Sequence, residues 1–220
     1  MVLFSCITEV KYIEEIILNY KDFTQEIVVY TNNRSLVDFS TKNIEVKYIE
    51  FKGSNFAFTR YIKMFGSKIH SSFPSIYFDS TVNLTYWLSS RDVNLPSEAC
   101  FFAHPKRSSA FSEVLYNYLV GKDSFSSLIK FGFYASRYGL GNSLVLGGII
   151  FLASKTDIKY MQEWHHHYKA MGLKRDQPSL CFVENRLILP LPPKVVVGRN
   201  EFIPNRLVRL YTIIKSWIKS

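Results

Sequence analysis

The chain has 220 residues, enough for one large domain or two small ones, and its 47% hydrophobic and 20% charged content excludes an extended disordered polymer. Lysine and arginine total 27 against 18 acids, a formal charge of +9, which points to an anionic partner: nucleic acid, a phosphorylated substrate or an acidic membrane face. The aromatic share of 16% supplies core volume and possible stacking platforms.

Val2–Ile7 is a continuous apolar run suited to a buried strand, and it lacks the basic start and cleavage site of a signal peptide. Tyr12, Ile13, Ile16 and Ile17 follow at helical spacing, with Glu14, Glu15 and Lys21 turned outward. Ile27–Tyr30 is a second buried strand, stopped by Thr31, Asn32, Asn33 and Arg34. Ile44–Phe51 alternates apolar with charged residues, the pattern of a strand near a sheet edge. Phe56–Ile69 has helical periodicity, and Ser75–Phe78 is a strand that runs straight into Asp79. Beyond it, Ala99–Ala103 and Gly148–Leu152 read as strands, and Ala110–Leu119 and Lys155–Met171 as helices.

Strands alternating with helices imply an α/β domain with a mainly parallel sheet covered on both faces. Its ligand crevice lies beyond the carboxyl ends of the strands. That rule selects Thr8 and Glu9, Thr31 and Asn32, and Asp79, Ser80 and Thr81. No linker or repeat divides the chain, so residues 1–190 are expected to form one domain. The remaining stretch, residues 191–220, is a tail set apart by Pro190, Pro192 and Pro193.

Within that tail, Arg206–Lys219 has an amphipathic helical pattern. Leu207, Leu210, Tyr211, Ile214 and Ile218 share one face beside Trp217, the basic members are Arg206, Arg209, Lys215 and Lys219, and no acid follows Glu201. Such a helix either docks its apolar face on the domain or lies in an anionic membrane interface. The longest apolar run, Leu144–Ala153, is short of the ~20 residues that span a bilayer. Cys6, Cys100 and Cys181 are odd in number and show no paired spacing, so neither a disulfide framework nor a zinc site is expected, and the protein is read as cytoplasmic.

Asp79 is the most informative position. A carboxylate at the stop of a buried strand is exposed at the crevice and fixed from beneath. With Ser80, Thr81 or Asn83 it offers oxygen ligands to Mg²⁺ or Mn²⁺, although an Asp there also serves simply to open a turn. Arg60 and Lys63 stand three apart on a predicted helix and so share a face, a pairing suited to a diphosphate as well as to solvent. His104, kept out of helical geometry by Pro105, follows an apolar strand beside Lys106 and Arg107. It can bond a sugar hydroxyl or a phosphate, act as acid or base, or be a plain loop histidine. Asp176 and Gln177 combine a carboxylate with an amide, suited to vicinal hydroxyls or to acid–base work. Asp176 also fits a helix N-cap with Pro178 in the first turn. Three consecutive histidines, His165–His167, point about 100° apart on a helix and do not converge on a metal. Gly147 and Gly148 sit in no phosphate-loop frame, and no nucleophile elbow is present.

In order along the chain stand Phe58-Thr59-Arg60-Tyr61-Ile62-Lys63, Ile76-Tyr77-Phe78-Asp79, Ala103-His104-Pro105-Lys106-Arg107 with Glu113, Gly147-Gly148-Ile149-Ile150, Gln162-Glu163-Trp164 and Arg175-Asp176-Gln177-Pro178-Ser179-Leu180. This series, over roughly residues 2–186, resembles the GT-A-type glycosyltransferase-like family of plant Golgi proteins and bacterial surface-polysaccharide clusters. The resemblance implies a GT-A-like (Rossmann-like) mixed, mainly parallel sheet flanked by helices, and a nucleotide-sugar donor held at Asp79. The donor is expected to be UDP-linked and the acceptor a glycan or a lipid-linked glycan. Arg60 and Lys63 fall where the family carries a basic helix pair, and His104, Arg107, Asp176 and Gln177 match its other polar signatures. Asp176 is the expected acceptor base of an inverting reaction, with His104 as a further catalytic residue. The expected divalent cation (Mn²⁺ or Mg²⁺) has a reduced ligand set, because Asp79 is followed by Ser80 and Thr81 and no histidine follows His167. Competing expectations are a non-catalytic sugar- or nucleotide-binding relative and a basic nucleic-acid-binding module. The second is disfavoured, since most Phe and Tyr fall at core-facing positions and nucleic acid is not an expected partner.

Overall fold

The computed structural model describes residues 1–89, 95–105, 109–119, 121–139, 144–192 and 195–197. The chain order begins β1 (Val2–Cys6), α1 (Val10–Tyr20), β2 (Ile27–Thr31), a 3₁₀ segment (Arg34–Phe39), β3 (Ile44–Tyr48), α2 (Asn55–His70) and β4 (Ser75–Phe78). It continues through β5 (Val82–Asn83), α3 (Thr85–Leu88), β6 (Cys100–Ala103), α4 (Ala110–Leu119), α5 (Phe125–Tyr138) and β7 (Val145–Leu152). A 3₁₀ turn (Lys155–Asp157), α6 (Ile158–Met171), α7 (Gln177–Leu180), β8 (Leu187–Leu189) and β9 (Val196–Val197) follow. The Arg206–Lys219 segment and Arg107 lie outside the described residues.

Seven strands form one mixed sheet in the order β3-β2-β1-β4-β7-β6-β8, and β5 pairs with β9 apart from it. The β3/β2, β2/β1, β1/β4 and β6/β8 pairs are parallel. Only β7 runs against its neighbours β4 and β6. The protein is therefore α/β with a mostly parallel sheet flanked by helices, an arrangement compatible with a Rossmann-like fold. Strand β3 stands at the edge, as its alternating burial requires. Strand β7 is longer than Gly148–Leu152 and takes in Gly147 and Leu146. The helix expected from Lys155 opens with a 3₁₀ turn, closed by a capping box between Ser154 and Asp157.

Side chains on a strand alternate between faces, so β1 serves two cores. Leu3 joins Ile13, Ile16, Val29 and Ile76 on the α1 side. Phe4 joins Val28, Tyr77, Phe58, Ile62 and Trp164 on the side of α2 and α6. Register puts Phe4 abreast of both Val28 and Tyr77. Helix α2 starts at Ser54, whose hydroxyl accepts from the Ala57 amide at 3.2 Å. It lies close on the sheet because of Gly66: a Cβ there would come within 2.5 Å of the Phe4 ring. A third core, under α4 and α5, gathers Val114, Phe131, Ala135, Met171 and Phe182. Among the described residues no helix is long and apolar enough to cross a membrane.

Candidate functional site

Strands β1, β4 and β6 point the same way in the sheet, so their carboxyl ends open on one edge. There a cleft of about 710 Å³ is lined by Thr8 and Glu9 after β1, by Asp79, Ser80 and Thr81 after β4, and by His104 after β6. Helix α2 contributes Thr59, Arg60 and Lys63 from one wall, α4 contributes Glu113, Tyr116 and Asn117, and Arg175, Asp176 and Gln177 close the cleft beside Gly147 and Gly148.

Asp79 is fixed by backbone on both sides. Its amide donates to the Gly148 carbonyl at 2.9 Å, and its carbonyl accepts from the Val82 amide at 2.8 Å. The Tyr77 hydroxyl, two residues back on the same face of β4, donates to Asp79 Oδ1 at 2.5 Å. Burial, reinforced by the Asp79 charge, pushes the Tyr77 phenol well above its usual range, so it stays a proton donor. Lys63 Nζ lies 3.1 Å from Asp79 Oδ1 and 3.3 Å from Oδ2. Across the wall, the same ammonium is 3.4 Å from Asp176 Oδ2, and Arg60 Nη2 is 3.3 Å from Asp176 Oδ1. The Arg60 guanidinium also stacks over Phe56, 3.2 Å from the ring centroid.

The two carboxylates differ in setting. The Asp176 side chain is 7% exposed and that of Asp79 36%. Burial alone would raise the Asp176 pKa, but Lys63 and then Arg60 outweigh it and hold the carboxyl below its ordinary value. Its backbone is pinned as well: the Trp164 indole and the Ser179 hydroxyl both donate to the Asp176 carbonyl, at 3.0 and 2.5 Å. Asp176 does occupy the N-cap position of α7, with Pro178 in the first turn, yet its side chain makes no capping bond. Ion pairing has taken it instead.

The other expected site residues are placed as follows. Thr8 lines the cleft and His104 lines it while 8% exposed. Gln177 lines it too, and its amide donates to the Val145 carbonyl at 2.9 Å, tying α7 to β7. Thr31 and Asn32 are not brought to the lining. Thr31 is fully buried and its hydroxyl accepts from the Asn33 amide, while Asn32 donates to Asn55 Oδ1 at 3.0 Å. The β2 end thus meets α2 through Asn55, which itself lines the cleft. Among the three histidines, His167 is buried beside Tyr134, His166 is exposed, and His165 packs edge-on against Phe65.

Sequence reasoning passed over Tyr77 and the role of Gly148. A Cβ on Gly148 would meet Asp79 Oδ2 at 3.0 Å, tighter than nearly all real contacts, whereas one on Gly147 would meet only Gln177 at an ordinary 3.7 Å. The sign was the glycine pair inside an otherwise apolar strand. Cys6 also lines the cleft, but burial pushes its thiol up to about 12 despite a bond to Thr59, so it is no nucleophile.

The chain matches no protein-family model and no curated protein sequence.

Charge arithmetic and the Gly148 cradle test the divalent cation that the resemblance implies. Arg60 and Lys63 (+2) balance Asp79 and Asp176 (−2), which leaves the cluster neutral and without surplus positive charge for a diphosphate. Asp79 is the more exposed carboxylate, and the missing Cβ of Gly148 leaves room beside its Oδ2. These residues fit a cation shared between one carboxylate and substrate phosphates.

Proposed function

We propose that this protein is a glycosyltransferase that moves a sugar from a UDP-linked donor to a glycan or lipid-linked acceptor in surface-polysaccharide biosynthesis, working at the cytoplasmic membrane face. One observation carries the reading: Arg60, Lys63, Asp79 and Asp176, from three separate segments, form a single ion network at the carboxyl ends of the sheet. That edge is where α/β sheets take nucleotides.

In the transfer, the acceptor oxygen bonds to the anomeric carbon as the bond from that carbon to the diphosphate breaks. The electron pair leaves with UDP, and the acceptor hydroxyl gives up its proton. The chief demand is to stabilise charge on the departing diphosphate and to align the acceptor. Lys63 and Arg60 face that charge, and Arg175 adds a further cation on the lining. Asp79, with Ser80 and Thr81, would hold a Mn²⁺ or Mg²⁺ ion, which supplies two positive charges to the diphosphate. Asp176 is a positioning residue in this scheme. A carboxylate held below its ordinary pKa by two cations is a weak base, and its work is to aim Arg60 and Lys63. His104, which lines the cleft after β6, is the group assigned to take the acceptor proton if the reaction inverts.

The neutral charge balance and the single motif aspartate favour, as a second reading, a nucleotide-sugar-binding relative without turnover. Calorimetry with UDP and a panel of nucleotide sugars, with and without Mn²⁺, tests the shared premise. Micromolar binding that strengthens with the metal is expected, and no binding of any nucleoside diphosphate overturns both readings. Release of UDP from the bound donor then separates them.

A further inference from the structure

Helix α5 carries apolar residues on both its sides. Ser127, Phe131 and Ala135, four apart, are buried. The opposite side of a helix packed on one face is ordinarily polar. Here it presents Phe125, Ile129 and Phe133, again four apart, at 58%, 45% and 75% exposure. The patch continues onto α4, where Phe111 and Leu115 are exposed and the ring of Tyr118 meets that of Phe125 with centroids 5.9 Å apart. Scattered exposed apolar residues are normal, but a contiguous set on two adjacent helices marks a contact surface.

Charge identifies the partner. From Ala110 to Tyr138 the chain has two acids, Glu113 and Asp123, and both are buried, at 6% and 3% exposure. Its three cations, Lys122, Lys130 and Arg137, are exposed. On the α5 helical wheel Lys130 and Arg137 fall along one flank of the Phe125–Ile129–Phe133 stripe. An apolar stripe with a cationic flank and no exposed acid is the pattern of a helix lying in an anionic lipid interface. Lys122 lines the cleft, so a second copy would set Lys130 and Arg137 against the same two cations, and the Arg206–Lys219 segment brings four more with no acid.

We propose that the outer face of α4 and α5 is a membrane-docking surface that takes an anionic lipid bilayer, with Phe125, Ile129 and Phe133 entering the interface. Helix α4 also lends Glu113 and Asn117 to the cleft wall, so docking sets that wall beside the bilayer whatever reaction the cleft performs.

Vesicle flotation of the full chain tests this, with phosphatidylcholine alone and with phosphatidylcholine mixed with phosphatidylglycerol. Binding to the mixed vesicles is expected, with little to the neutral ones. Ile129→Glu and Phe133→Glu should each lower the partition about tenfold or more, and Lys130→Glu and Arg137→Glu roughly fivefold each. Equal flotation of wild type and Phe133→Glu, or no flotation of wild type, overturns the assignment. A Phe133→Cys variant carrying an environment-sensitive dye gives a second measurement, and the native Cys6, Cys100 and Cys181 are buried and should escape labelling. The dye should read as wet without vesicles and shift to an apolar signal on the mixed ones. A dye already buried without lipid would mean that the tail, another segment or a second copy covers this face, and it also overturns the assignment.

Discussion

The two halves of the sheet meet at the β4–β7 pair, and they use the same physics for different ends. On the parallel side, β1, β2 and β4 are buried on both faces, and the carboxyl ends of β1 and β4 hold Thr8 and Asp79 at the cleft. On the other side, β7 runs antiparallel, the helix α7 beside it has only four residues, and α5 exposes Phe125, Ile129 and Phe133. The first half positions chemistry from below. The second closes over the cleft with Gly148, Asp176 and Gln177, and it leaves an outer surface that water does not suit. Beside the β4–β7 ladder, the Asp79–Gly148 backbone bond and the core that both sides share, the ion network bridges them through charged side chains, since Asp176 belongs to the second half while Arg60, Lys63 and Asp79 belong to the first.

Breaking that bridge should have the largest effect. Asp176→Asn removes the buried carboxylate from two cations that are themselves about nine-tenths buried. Loss of one member of a buried pair costs about 3–5 kcal/mol, measured as a shift in urea midpoint. The sign with pH follows from the lowered pKa. The Asp176 contribution is present above the ordinary carboxylate value of 3.8 and is lost as pH falls below it. The variant should therefore lose that acid limb as well as overall stability. An unchanged midpoint would mean that the network does not join the two halves.

Asp79→Asn sharpens the contrast. Its side chain is 36% exposed, so solvent screens the pair and stability should move by only about 0–1 kcal/mol. Turnover, or nucleotide affinity in the presence of Mn²⁺, should fall roughly 100- to 1,000-fold. One carboxylate then governs folding and the other ligand chemistry. Equal effects on both properties for both variants would dissolve the distinction.

Much of the parallel half was legible in the sequence because its signals are local. Val2–Ile7 and Ser75–Phe78 are largely apolar runs with one serine each, and the alternation from Ile44 marked the edge strand β3. The strand-end rule then placed Thr8 and Asp79 correctly at the cleft. It also selected Thr31 and Asn32, which fall short of the lining because Asn55 of α2 stands in front of β2. The second half was legible in part: the expected strand at Ala99–Ala103 and the helices at Ala110–Leu119 and Lys155–Met171 correspond to β6, α4 and α6, while α5 and the start of β7 had weaker signals. Helix α5 is amphipathic, but Phe125, Ile129 and Phe133 on its outer side blur the face that it buries. Strand β7 contains two glycines that look like an interruption until Asp79 and Gln177 are seen to pack beside them. The pairing of Arg60 with Asp176 joins residues far apart in sequence, and no spacing rule reaches across that distance. Asp176 reads as a helix cap or a base from its neighbours alone; its burial between two cations is a property of the fold.

Gly148→Ala is the next test down. The added methyl must push the Asp79 carboxylate by a few tenths of an ångström. The stability cost should be about 1 kcal/mol, while nucleotide-dependent activity should fall about tenfold through misplacement of that oxygen. Gly147→Ala, facing Gln177 at an ordinary contact distance, should behave like the wild type. Identical losses at both positions would show a general intolerance of β7 instead of a cradle for Asp79.

The smallest expected effect lies in the parallel half. His70 ends α2, packs edge-on against Phe4 with ring centroids 4.8 Å apart, and has its Nδ1 3.2 Å from the Tyr30 hydroxyl. Burial, with Lys47 adding to it, lowers the imidazole pKa from 6.5 to about 4. The folded protein therefore keeps this ring neutral where the unfolded chain takes up a proton. Its contribution to stability is intact above pH 6.5 and falls steadily as pH drops from 6.5 toward 4. His70→Gln should cost about 1 kcal/mol near neutral pH, the worth of the Tyr30 hydrogen bond, and should flatten the decline over that window. Urea midpoints for both proteins between pH 7 and pH 4 measure it. Because no cleft group is touched, nucleotide affinity at neutral pH should not change, which separates the acid sensitivity of the scaffold from the chemistry at its edge. A decline just as steep without His70 would move the acid-sensitive element elsewhere, and the buried His167 of the second half, whose pKa burial also lowers, would be the residue to replace next.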